Sequence, residues 1–156
     1  MNDKIHKALG IFLDAMRPFV VSFLQQHFPN EPWEGLFFAR LKPARQTTWN
    51  QAMRAQGENQ SCMYFIDYNN LPDFAIGFKR ELGLEFENPD KANKFISYLQ
   101  ELKDIRNKCN HYQALVNEEI EGSKLYNKQA AKLMKMDLLV TDIDNNKGQT
   151  QMIVQP

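Results

Sequence analysis

Two side chains in one stretch of this chain have the types and spacing to act on an oxyanion. They are Arg106 and His111, in the run Glu101-Leu102-Lys103-Asp104-Ile105-Arg106-Asn107-Lys108-Cys109-Asn110-His111. A guanidinium bonds two oxygens of one phosphate at once and never loses its charge. An imidazole ordinarily titrates near neutrality, so it can take and return a proton. Asn107 and Asn110 can donate to the same anion or orient the ring, and Asp104 lies nearby in the string.

These residues need a helix to carry them. Its start is marked by Asn88 as N-cap, Pro89 at the first helical position and Asp90 at the positive end of the dipole. Ala92, Phe95, Ile96, Leu99 and Leu102 then form one apolar stripe, running on to about Tyr112. At roughly 100° per residue, Arg106 falls about 40° from Ala92 and Asn110 directly above it. Asp104 and His111 fall together on the shoulder, about 100–120° round. A guanidinium and an amide therefore occupy positions that should be apolar. A buried arginine must be paired or face a polar cavity. This end of the helix either lines a cleft or meets a partner bearing acceptors. The plainer alternative is an arginine that reaches solvent or bonds carbonyls of a neighbouring segment, with Asn107 and Asn110 as C-terminal caps.

The remaining elements are also mostly helical. From Asp3 to Phe28 the apolar residues Ile5, Leu9, Phe12, Met16, Val20, Phe23 and Leu24 recur at helical spacing. Asp3 is expected as N-cap, and Pro18 is expected to kink or divide this helix. Short helices follow over Trp33–Leu41 and Pro43–Ala55, the second stopped by Gly57. Met63-Tyr64-Phe65-Ile66 is ambiguous between strand and buried helix. Asp67 or Asn70 then caps a helix through Phe78 that ends at Gly83, and a last helix covers about Asn117 to Met136. Leu138 to Ile143, the turn Asp144 to Gly148, and Gln149 to Val154 read as a β-hairpin. The fold class expected is all-α with a small C-terminal hairpin: residues 1–136 as the helical domain, 137–156 as the hairpin or the start of a connection.

Arg106-Asn107, with His111 four residues further on near the end of a long helix, resembles the signature of HEPN domains (higher eukaryotes and prokaryotes nucleotide-binding). The order of helices from Lys4 to Met136 is closest to the Swt-type branch of that family. The chain departs from many members in having Asn110, not a small or aromatic residue, before the histidine. The resemblance implies a HEPN-like bundle and a metal-independent endoribonuclease, in a toxin or phage-defence setting. It implies a homodimer whose motif helices face one another, so that two His111 and two Arg106 make a composite site. Such cleavage needs a base for the ribose 2′-OH, an acid for the leaving 5′-oxygen and positive charge on the phosphorane, and it leaves a 2′,3′-cyclic phosphate. The resemblance equally admits a non-catalytic dimerisation or RNA-binding module of a larger protein or complex. A helical interaction domain with an accidental motif is a third reading.

RNA also needs a landing surface. Arg40, Lys42, Arg45 and Arg54 occur with no acidic residue between Gly35 and Gly57, and Trp49 lies among them. Cations interleaved with an aromatic suit a single-strand groove; the alternative is a solvated face with Trp49 in the core. Lys103 and Lys108 form a second candidate patch. His6 and His27 are expected at the surface or core edge, and Cys109 as a buried small hydrophobe.

Composition narrows the classes. In 156 residues, 19 Lys and Arg balance 19 Asp and Glu, which excludes a histone-like polyanion binder. Three His and two Cys show no ligand spacing, so no metal and no cofactor are expected, and no Gly-rich phosphate loop is present. No apolar run near 18 residues and no signal peptide are evident, so the expectation is a cytoplasmic protein with no membrane partner. RNA, a second copy of the chain, and an antitoxin or a larger multidomain defence protein are the partners expected.

Overall fold

The computed structural model describes residues 2–56, 61–110 and 117–146. His111 and the second arm of the expected hairpin, 149–154, lie outside them. The described residues are all-α: α1 (Asn2–His27), α2 (Trp33–Ala39), α3 (Pro43–Gln56), a 3-10 turn (Cys62–Phe65), α4 (Leu71–Gly77), α5 (Lys79–Glu85), α6 (Pro89–Asn110), α7 (Asn117–Leu133) and α8 (Asp137–Asn145).

α1 runs undivided through Pro18, contrary to the expected break. Proline removes one backbone bond there. Met16 and Val20, on either side of it, are fully buried and hold the helix on the core. α1 is also apolar and long enough over Asp3–His27 to cross a membrane by length and composition, despite the contrary reading of the sequence. Its apolar face is spent within the chain: Leu9, Phe12, Met16, Val20, Phe23 and Leu24 are all buried. Full burial of such side chains contributes about 1.5–3 kcal/mol each.

α6 is the central strut, packed against α1, α4, α5 and α7. Its start is as expected: Asn88 Oδ1 accepts from the Asp90 N–H at 2.8 Å, ahead of Pro89. Aromatic rings join the layers. Phe74 meets Phe23 edge-on at 5.7 Å and Phe37 at 5.9 Å, while Phe86 meets Phe95 edge-on at 5.2 Å.

The single helix expected up to Gly83 is two. Phe78 leaves helical geometry (φ −116°, ψ 29°) and separates α4 from α5. Gly83 lies inside α5, where a Cβ would sit 3.4 Å from Pro89 Cα, in ordinary contact with the start of α6. α5 ends at Glu85 instead, and Glu87 beyond it lies in the left-handed region at φ 61°. The Asn88 N–H donates to the Gly83 carbonyl and the Glu87 N–H to Leu84, a Schellman closure. Lys135 (φ 58°) closes α7 in the same way, with Met136 donating to Ala131.

The expected hairpin is corrected by α8. Leu138 to Ile143 is helix, not strand. Leu139, Asp142 and Ile143 share its buried face, against α1 and α7. β-branched residues favour strands only weakly, and a helical face that finds a core overrides them. The Asn146 amide donates to the Lys4 carbonyl at 3.1 Å, tying the end of α8 to α1.

Candidate functional site

Local bonds hold the segment after the 3-10 turn rigid. The Asp67 N–H donates to Asn70 Oδ1 at 2.8 Å, and the Asn70 N–H returns a bond to the Asp67 carbonyl at 2.9 Å. α1 pins this segment from one side: Arg17 Nε donates to the Ile66 carbonyl at 3.0 Å, and the Tyr68 hydroxyl to the Leu9 carbonyl at 2.6 Å. From the other side comes α6. Arg106 Nη1 and Nη2 donate to the two carboxylate oxygens of Asp67 at 2.8 and 3.0 Å. Its Nε donates to Asn107 Oδ1 at 3.1 Å, and the guanidinium carbon lies 5.6 Å from the Tyr68 ring centroid. Asn107 Nδ2 reaches Asn69 Oδ1 at 3.4 Å.

Arg106 therefore has the acceptor that a half-buried arginine on an apolar stripe requires, and it is a carboxylate from another element. Three of its five N–H bonds are engaged by Asp67 and Asn107. Among the described residues the other two have no hydrogen-bond partner. Burial pushes the Tyr68 hydroxyl well above the usual tyrosine range; Arg106 opposes this and Asp67 adds to it.

Arg106 and Asn110 line an open cleft of about 490 Å³ between α1, α6 and the Tyr68 segment. α1 contributes His6, Lys7, Leu9, Gly10, Leu13 and Asp14 to its lining. At Gly10 a Cβ would meet nothing within 4 Å. A larger hollow of about 790 Å³ lies elsewhere, beside Ile76, Leu84 and Pro89, and contains no histidine.

The other expected site residues are dispersed. Asp104 is exposed, Lys103 is half-buried, and Lys108 pairs with Glu119. Trp49 is not a stacking platform: it is 5 % exposed, with Phe37 at 5.3 Å and Phe65 edge-on at 5.8 Å. An indole presents apolar area too large to leave in water when Phe37 and Phe65 can cover it. Arg40 lies over the Phe78 ring at 5.0 Å, Lys42 is exposed beside Asp73 at 4.0 Å, Arg45 is half-buried and Arg54 is exposed. None of these lines the Arg106 cleft. Cys109 is buried as expected, 8 % exposed, and burial raises its thiol pKa.

No family model, curated protein or solved structure matches this chain.

Sequence reasoning missed Asp67 as the partner of Arg106, for which a carboxylate between Ile66 and Tyr68, both buried, was the available signal. His6 is exposed, as expected, and lines the cleft only because α1 meets α6. The stripe of α6 also proves to be internal. Ala92, Phe95, Leu99 and Leu102 are fully covered within one chain, and Ile96 is half-buried.

Proposed function

We propose that this chain is a metal-independent endoribonuclease of the HEPN type, acting in the cytoplasm as a homodimer in a toxin or phage-defence setting. One observation supports the reading above others: Arg106, oriented by both oxygens of Asp67, lines an open cleft near the C-terminal end of α6. Its spare N–H bonds suit the non-bridging oxygens of a phosphodiester, and the charge-assisted clamp holds it ready for the phosphorane. His111 supplies proton transfer, and Asn110, on the cleft wall, supplies a further donor. The regulator would be an antitoxin, or a neighbouring domain of a larger defence protein.

A second reading is favoured by the same ion pair. An arginine engaged by Asp67, Asn107 and the Tyr68 ring also serves simply to lock α6 to the 66–70 segment. The chain is then a non-catalytic dimerisation or RNA-binding module. Incubation of the protein with RNA in EDTA separates the two. Cleavage products ending in 2′,3′-cyclic phosphate, absent with 2′-O-methyl RNA and with His111→Ala, support the nuclease. Intact RNA retained by a dimer supports the module.

A further inference from the structure

We propose that the hollow where α1, α7 and α8 meet binds a small hydroxylated anion, a monosaccharide phosphate. This hollow measures about 270 Å³ and shares no residue with the Arg106 cleft. Asn127 of α7 lines it and is 1 % exposed. No described residue donates a hydrogen bond to Asn127 Oδ1, which is buried. The same holds of Asn146 Oδ1, from the end of α8. The Asn146 amide nitrogen is already engaged by the Lys4 carbonyl at 3.1 Å. Ser123 is buried too, and it gives its proton to the Ile120 carbonyl at 3.0 Å, so it meets the hollow as an acceptor. Folded chains pair nearly all buried polar atoms, because an acceptor without a donor costs stability. Two unpaired amide oxygens from two helices, on one hollow, point to a ligand that supplies donors.

The charges around these oxygens restrict which donors fit. Lys4, Lys124 and Lys128 all line the hollow. Lys128 pairs with Asp144 at 2.8 Å and Lys124 with Glu121 at 3.6 Å, whereas Lys4 has no ion-pair partner among the described residues. A metal cation or an ammonium group would satisfy the oxygens, but three lysines beside it oppose its charge. Hydroxyl groups donate without that penalty. The Lys4 ammonium calls for an anion on the same molecule. A phosphate ester carries about 1.5–2 negative charges at neutral pH and can be shared among several ammonium groups. Ile5 and Ile143, both buried, add an apolar wall for the carbon face of a sugar ring. The volume lies just below that of most ligand pockets, about 300–1,000 Å³, which suits a single sugar ring.

The test is calorimetric titration of the full chain with ribose 5-phosphate and glucose 6-phosphate, with the free sugars and inorganic phosphate beside them. A sugar phosphate should bind more tightly than its free sugar and than inorganic phosphate. It should also raise the melting temperature, because it binds only the folded chain. Asn127→Leu removes the unpaired oxygen at similar volume. It should melt at or above the wild type without ligand, and its affinity for the sugar phosphate should fall about 5–150-fold. Lys4→Gln, at an exposed position, should keep the fold and weaken binding by about 2–5-fold. If Asn127→Leu does not fold, Asn146→Ala takes its place: weakened binding supports the site, and unchanged affinity overturns it. No binding of either sugar phosphate at millimolar concentration overturns the proposal. So does equal affinity for inorganic phosphate that Asn127→Leu leaves unchanged, since the lysines alone would then account for it.

Discussion

Arg106 and Asp67 are joined by two parallel hydrogen bonds, at 2.8 and 3.0 Å, across 39 positions of sequence. The arginine side chain is 14 % exposed and the aspartate 37 %. The pair is thus more than a surface ion pair and less than a buried one. A double-mutant cycle with Arg106→Ala and Asp67→Ala should give a coupling of about 1–3 kcal/mol in urea unfolding, between the exposed and buried limits. Arg106→Lys should keep the charge and lose most of that coupling, because an ammonium cannot match both oxygens.

If the chain cleaves RNA as proposed, the same arginine should behave differently from its orienting partner. Arg106→Ala should lower the rate by about 10²–10³-fold through lost phosphorane stabilisation. Asp67→Asn, which keeps shape and hydrogen bonding, should lower it less. Equal losses in the two variants would mean that Arg106 acts only through the 66–70 segment. Single-turnover rates at saturating RNA make the comparison.

Leu99 is fully buried at the centre of α6. Leu99→Ala should destabilise by about 2–5 kcal/mol through the cavity it leaves. Thermal or urea unfolding checks this, and the rate per folded molecule should not change.

Tyr68 should titrate anomalously. Its hydroxyl is buried and donates to the Leu9 carbonyl, and burial raises its pKa well above the ordinary value. The raised value means that the folded chain holds this proton more tightly than the unfolded chain, whose tyrosines titrate at about 10. The stability so gained is complete below pH 10 and is lost as pH rises from there towards the folded value. Ultraviolet titration of the five tyrosines should leave Tyr68 protonated until the protein unfolds, and Tyr68→Phe should remove this delayed step.

Gly10 sits within α1 with open space where a Cβ would point. Gly10→Ala should stabilise by about 0.5–1 kcal/mol, the usual cost of glycine inside a helix. Gly10 lines the Arg106 cleft, so on the proposed nuclease reading Gly10→Leu should weaken RNA retention on filters while leaving the melting temperature unharmed.

Lys135 holds a left-handed conformation at the end of α7. A side chain there costs roughly 1–2 kcal/mol, of which glycine recovers part. Lys135→Gly should therefore raise the urea midpoint, by about 0.5–1 kcal/mol in stability.

What the sequence determined by itself was what neighbours along the chain control. Asn88-Pro89-Asp90 starts α6 because its capping bond spans two residues. The spacing of Leu9, Phe12, Met16, Val20 and Phe23 makes α1 a helix because one face must leave water. Arg106 and Asn110 announced a polar interruption in the α6 stripe for the same reason. Which group answers Arg106 was not legible, since Asp67 becomes its partner only when the 66–70 segment is held between α1 and α6. The sequence left Trp49 open between a base platform and a core residue, and it offered Leu138 to Ile143 as a strand. Tertiary packing buried the first against Phe37 and Phe65 and laid the second as a helix on α1 and α7. In both cases the local preference was worth less than the apolar area that packing removed from water. The cleft that joins His6 to Arg106 belongs to the same class: neither helix contains it, and only their packing makes it.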